Sequence, residues 1–288
     1  MAQPETTERT VCYRHPRVET AVSCAECGRP ICPDCMVFGP VGIRCPECAG
    51  VPTGARRTVE RVRTAGTRHL PPGFASYVLI ALNIAVFAAE IATGSGWNTL
   101  SGDVYEKGAL YGPLVGDGDW WRLITGAFLH AGLIHLLFNM LALWWFGRPL
   151  EVVVGSVRFV GVYLAGALAG SAGALLISPT TPTVGASGAI FAILGAGLVL
   201  ERKRIYVFGG AALAFIVLNL VLTFTLSGIS IGGHLGGLAG GVACMLLLSW
   251  VGYTHPLASR RGLESLAAIL AVAVIAIAIA YARARGLA

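Results

Sequence analysis

The sequence predicts an all-α membrane protein that crosses the bilayer several times, with a small metal-binding domain in front, and three observations carry that expectation. Of its 288 residues, 55% are hydrophobic and only 12% are charged, about half the charge of a water-soluble domain, so too few polar side chains exist to cover a water-facing surface. From residue 75 onward, apolar runs recur at the roughly 20-residue length that a helix needs to cross the hydrocarbon layer. Seven of the eight cysteines lie before residue 50. The net charge of +6 does not point to nucleic acid, because the basic residues flank apolar runs, where membrane topology is a sufficient reason for them.

Residues 1–50 hold the metal donors, which read Cys12-x2-His15, Cys24-x2-Cys27, Cys32-x2-Cys35 and Cys45-x2-Cys48. A two-residue gap lets one tight turn present both ligands of a pair, and eight donors suffice for two tetrahedral zinc ions. With no signal-peptide-like apolar run before residue 75, residues 1–74 are expected in the cytosol, where clustered cysteines are metal ligands rather than disulfides. So few large apolar residues build no core alone, so metal binding would supply the folding energy. Closed four-ligand sites are structural, and the expected role is to recruit or regulate a protein partner. The pattern resembles the B-box type of zinc finger. That resemblance implies a cross-brace with Cys12, His15, Cys32 and Cys35 on one ion and Cys24, Cys27, Cys45 and Cys48 on the other. Cysteines stand here where many B-boxes end in histidines. Cys244, inside an apolar span, reads as a packing residue.

A basic linker, 51–74, contains Arg56, Arg57, Arg61, Arg63 and Arg68 and ends near Pro71 and Pro72. Seven spans follow, at about 75–93, 124–147, 156–177, 186–200, 205–226, 232–251 and 263–282. The fourth is short and led by glycine, which suggests an end inside the membrane, tolerated only where backbone is buried in protein or lines a wet cavity. With residues 1–74 inside, Arg148, Arg158, Arg202, Lys203, Arg204, Arg260 and Arg261 all fall inside as well, as the positive-inside rule asks. Arg283 and Arg285 in the terminal tail are the mild exception. The long 94–123 loop, rich in acidic residues, lies outside.

Ionisable groups within a membrane mark function by default, and His130, His135 and His234 lie in or beside apolar spans. His135 and Asn139, four apart, share one helix face. His130, about 140° further round, belongs at the helix mouth or in the preceding loop. Ser187, in Gly185-Ala186-Ser187-Gly188, opens the short fourth span; alone it reads as an N-cap or a packing motif, but its place at the positive end of a helix dipole also suits oxyanion chemistry. His234 is set among Gly232, Gly233, Gly236, Gly237, Gly240 and Gly241, and these small residues, with Gly188, Ala192 and Ala196 on the fourth span, let the two helices approach closely.

These residues together resemble the rhomboid family of intramembrane serine proteases. The resemblance covers about 75–251, through His130-x4-His135-x3-Asn139, Gly185-x-Ser187-Gly188, His234 with its glycines, and the Trp121-Arg122 pair. It implies a six-helix rhomboid core over 75–251, with a seventh helix and tail at 252–288. It also implies a catalytic Ser187–His234 dyad that needs no cofactor, an oxyanion site from His135, Asn139 and the Ser187 N–H, His130 shaping the cavity, Gly185 offering backbone to substrate, and a structural Arg122. Phe191 stands where relatives often have tyrosine and can still pack under His234. The implied activity is endopeptidase cleavage of single-span membrane proteins near the outer face, since a substrate helix must unwind into a wet cavity to expose its backbone. The implied setting is a plasma (inner) membrane, multi-pass, with a cytosolic N-terminus and a site opening outward. Partners would be transmembrane substrates and the lipid bilayer, with no nucleic acid. Two other readings compete: a catalytically silent relative that binds or escorts membrane helices, and a membrane metal or haem carrier using His135 and His234. The second leaves Asn139 and the Gly185–Gly188 segment unexplained.

Overall fold

The structure is a computed structural model that describes residues 10–39, 42–49, 71–253, 255, 257 and 259–287. It divides into two units, Met1–Leu70 and Pro71–Ala288. The arginines of the basic linker lie outside the described residues.

The first unit is built of two small hairpins. Strand β1 (Val11–Cys12) pairs antiparallel with β2 (His15–Glu19), and Cys12 sits directly opposite His15, so a two-residue turn sets both donors side by side. Strand β3 (Val37–Gly39) pairs with β4 (Gly42–Arg44) in the register Val37↔Arg44 and Phe38↔Ile43. The buried interior consists of Cys12, Cys24, Cys32, Cys35, Cys45 and Ile31. A core of five thiols and one isoleucine offers little apolar area to offset chain entropy.

The second unit is helical: α1 (Phe74–Ala92), then three short helices in a long loop, α2 (Asp103–Gly108), α3 (Gly112–Gly116) and α4 (Arg122–Thr125). The long elements that follow are α5 (Leu133–Val154), α6 (Ser156–Ile177), α7 (Ser187–Arg202), α8 (Ala212–Thr225), α9 (Ile231–Val251) and α10 (Arg260–Ala284). Among the described residues five of these, α1, α5, α6, α9 and α10, are long and apolar enough to cross a membrane, whereas α7 has 16 residues and α8 has 14. On α5, Ile134, Leu137, Phe138, Leu141, Trp144 and Trp145 are exposed while Leu136, Asn139, Met140 and Leu143 are buried, the one-sided stripe of a helix whose outer face meets lipid.

Two expected spans are corrected. The second was expected over 124–147 but runs from Leu133 to Val154. Its expected start is occupied by α4 and a tight turn at Gly126–Phe128, after which Leu129 is extended and Gly132 takes φ +147°. Its expected end is passed because a wider π turn at Leu143–Gly147 leads the helix into Pro149, whose missing N–H and ring bulk would break a regular helix there. Arg148, expected in a loop, is therefore helical. The fifth span begins at Ala212 rather than 205, because the chain turns at Arg204, Gly209 and Gly210, all with positive φ. The Glu201 carboxylate accepts N–H bonds from Phe208, Gly210 and Ala212 across that turn.

Helices α6, α7 and α9 meet backbone to backbone. A Cβ added to Gly237 would lie 2.0 Å from the Gly188 carbonyl oxygen, and one on Gly241 2.0 Å from that of Ala192. Only glycine permits this approach, which brings the N-terminal turns of α7 and α9 together. Buried Glu151 on α5 accepts from Ala75 N, Ser76 N, Ser76 Oγ and Ser156 Oγ at 2.6–2.9 Å. It thereby caps the start of α1, whose N-cap, Gly73, has no side chain to do so. Arg158, at the inner end of the expected third span, is buried in α6 and donates to Ser265 Oγ on α10 at 2.8 Å. Arg122 bonds Asp119 and the carbonyls of Glu106 and Ala109, which holds the long loop together.

Candidate active site and metal centres

Ser187 stands at the start of α7 in a way that leaves its hydroxyl free of capping. The N-cap residue is Ala186, and no side chain caps the first turn. The alternative in which this serine merely caps the helix does not hold: Ser187 lies one residue inside the helix, where its own hydroxyl cannot reach the N2 or N3 amide in the capping manner. The preceding strand is pinned in place, with Thr183 and Leu110 exchanging backbone bonds at 2.9 and 3.1 Å and Gly185 N donating to Gly126 O at 2.9 Å. The first-turn amides of α7 are the positive end of its dipole.

His234 lies in the first turn of α9, which Ser230 caps by accepting from Gly233 N at 3.0 Å. Its imidazole stacks on the Phe191 ring at 4.2 Å and 22°. Phe191 is one turn beyond Ser187 on α7, so the stack sets the imidazole against the helix that carries the serine. On its other side, His234 Nδ1 is 2.6 Å from Thr223 Oγ1 of α8, which is itself 2.6 Å from the Asn219 carbonyl. His234 and Thr223 are both buried.

His135 and Asn139 converge on Gly185. A Cβ at Gly185, whose φ is +127°, would lie 2.7 Å from His135 Cε1, 2.9 Å from its Nε2 and 3.8 Å from Asn139 Nδ2. The position therefore demands glycine on two counts. Ala131 N donates to His135 Nδ1 at 3.3 Å, which leaves the ring proton on Nε2, facing Gly185. Asn139 Nδ2 is buried with no hydrogen-bond partner among the described residues, an unspent donor at the same spot. His130 is buried in the extended segment before α5, its ring 5.2 Å from that of His135 and its N–H donating to Glu90 Oε2 at 3.1 Å.

Sequence reasoning passed over two residues here. Glu90 is a fully buried carboxylate on α1, and an acid within an apolar span is a signal that could have found it. Thr223 carries no such signal, since threonines bond their own helix in any apolar run.

In the first unit, Cys12, His15, Cys32 and Cys35 have ligand atoms within 4.8 Å of one another, and so do Cys24, Cys27, Cys45 and Cys48. Individual separations of 3.2–3.8 Å, such as His15 Nδ1 to Cys32 Sγ and Cys27 Sγ to Cys45 Sγ, approach the ~3.8 Å between sulfurs bound tetrahedrally at 2.3 Å. Burial pushes the Cys12 and Cys24 thiols up, but backbone amides aimed at them more than offset it and hold both at about 6. Cys35 is pushed up to about 12 by burial and by its neighbouring thiols, and Cys48 to about 12 by its bonds to Cys45 and Cys27 and by burial. Four such donors can all be thiolates or neutral imidazole only if a cation balances them, so the two sets could each hold a metal ion.

Residues 117–251 match the rhomboid domain. The chain is 38% identical over 203 residues to rhomboid protease GluP of Bacillus subtilis (strain 168), covering 69% of this chain and 38% of the relative. It is 40% identical over 135 residues to putative rhomboid protease YdcA of the same organism, covering 44% of this chain and 66% of the relative. RHOMBOID-like protein 5 of Arabidopsis thaliana is 36% identical over 163 residues, 52% of each chain. The chain spans 38–66% of the length of these relatives. The matched stretch holds α4 to α9, and with them Ser187, His234, His135 and Asn139: these residues lie in a rhomboid domain.

Proposed function

We propose that this chain is an intramembrane serine endopeptidase that cleaves transmembrane segments of single-span proteins, using Ser187 as nucleophile and His234 as general base. The observation that carries the reading is the convergence on one helix start: an uncapped serine on α7, a histidine stacked on the next turn of that helix, and two side-chain donors turned to the adjoining Gly185. Ser187 Oγ attacks the scissile carbonyl while His234 Nε2 takes its proton. The tetrahedral oxyanion is met by His135 Nε2–H, Asn139 Nδ2 and the Ser187 N–H. Collapse expels the amine, which receives the proton from His234, and water then releases the acyl group by the same route in reverse. Gly185, with no side chain, leaves backbone open to a substrate strand, and His130 shapes the cavity wall.

The rhomboid core of this reading is 75–251, with 252–288 adding a seventh helix and 1–50 a B-box-like zinc module joined through 51–74. Cysteine-rich tetrahedral sets favour zinc, two ions per chain, in structural sites; catalysis takes no cofactor. Lys203 and Arg204 after α7, with Arg260 and Arg261 at the start of α10, favour a plasma-membrane topology with the N-terminus in the cytosol and Ser187 toward the outer face.

The test uses a fluorescent fluorophosphonate on the detergent-purified chain. Labelling of the wild type that vanishes in Ser187→Ala and His234→Ala is the expected result. A folded, metal-loaded wild type that does not label would overturn the reading in favour of a helix-binding relative without activity.

A further inference from the structure

Among the described residues no carboxylate bonds the imidazole of His234, yet the imidazole is oriented. Nδ1 of His234 and Oγ1 of Thr223 are 2.6 Å apart, and Oγ1 is also 2.6 Å from the Asn219 carbonyl oxygen. Each of these contacts requires a proton between its heavy atoms. The carbonyl has none to give, so the single hydroxyl proton of Thr223 goes to Asn219 O. The proton between Thr223 and His234 must then come from Nδ1. His234 is thereby held as the Nδ1–H tautomer, with Nε2 unprotonated and free to act on the serine.

We propose that Thr223 is a positioning residue of this active site: it fixes the tautomer and ring angle of His234 from the neighbouring helix α8, in the place a carboxylate holds in a three-membered relay. The inference rests on the serine-protease reading. Phe191 fixes the plane of the imidazole by stacking but accepts no proton, so it cannot choose between tautomers; Thr223 can. After proton transfer the imidazolium keeps its Nδ1–H bond to Thr223, so the contact serves both halves of the cycle. Because Thr223 and His234 are both buried, water does not readily replace the bond.

Five versions of the chain in detergent test this: wild type, Thr223→Val, Thr223→Ser, Ser187→Ala and His234→Ala. Two quantities are measured, the rate of fluorophosphonate labelling and the ring 15N shifts of His234 in histidine-labelled protein, assigned by their loss in His234→Ala. The wild type should show a protonated Nδ1. Thr223→Val, equal in volume, should move the proton to Nε2 and slow labelling about 10-fold or more, with its thermal midpoint nearly unchanged. Thr223→Ser should restore both signals, which a merely structural role for the residue would not predict. Wild-type rate and tautomer in Thr223→Val, or a protonated Nε2 in the wild type, would overturn the inference while Ser187-dependent labelling left the protease reading standing. A wild type that labels no better than Ser187→Ala would overturn both.

Discussion

Asn139 sets stability and activity against each other. Its Nδ2 is buried without a partner among the described residues, a state that costs the folded protein about 1–3 kcal/mol, and under the proposed mechanism it finds an acceptor only when the oxyanion forms. Asn139→Ala should therefore lower kcat about 100-fold with little change in KM, because the lost interaction exists only in the transition state. The thermal midpoint should stay level or rise, and a fall in stability parallel to activity would show that Asn139 is bonded at rest. Gly185→Ala makes a contrasting case. Its methyl would meet the His135 ring at 2.7 Å on a backbone with φ +127°, so activity and thermal midpoint should fall together. His234, His135 and Asn139 stood out in the sequence as candidates because polar groups in apolar runs have few other reasons to be there, and Ser187 did so through its place at the start of a short helix. The N-cap reading of Ser187 failed, since only backbone angles decide whether Ala186 or Ser187 is the cap. Thr223 was invisible, because its partner is fixed by how α8 lies beside α9 and not by any spacing along the chain.

Helix existence was readable from apolar length, whereas helix boundaries followed from local backbone chemistry that hydropathy does not register. Proline at position 149 and arginine at 148 look like a helix end, and the π turn at Leu143–Gly147 overrides them. That continuation is what carries Glu151 to the N-terminus of α1, where one carboxylate satisfies four donors from α1 and α6. Glu151→Gln keeps the size but turns an amide nitrogen toward donors that need an acceptor. It should destabilise the helical unit by about 2–4 kcal/mol, read as a lower midpoint when the detergent-solubilised protein is titrated with denaturing detergent. Because Glu151 is remote in sequence from Ser187 and bonds only α1 and α6, the labelling rate of the surviving folded fraction should be unchanged. A midpoint equal to wild type would mean that the start of α1 is capped by other groups.

At the scale of the whole molecule, two units hold together by different physics. The helical unit buries a continuous apolar interior from Ala75 to Val272 and exposes a lipid-facing shell, so the bilayer itself favours its folded form. The first unit has Ile31 as its fully buried large apolar side chain, and its two hairpins are too short to be stable alone. Its order must come from whatever binds the two donor sets. Removing metal with a strong chelator at neutral pH should therefore release two ions per chain and make the seven cysteines of this unit reactive to a thiol reagent, with Cys244, buried in α9, remaining protected. Fluorophosphonate labelling of Ser187 in the same sample distinguishes two outcomes for the chain as a whole. Labelling that survives chelation means the cysteine-rich unit serves some purpose other than holding the active site together, such as recruiting a partner. Labelling that falls, and returns when zinc is restored, means the state of the module controls the serine. Because Ser187, His234, His135 and Asn139 all belong to the second unit, the first outcome is the expected one.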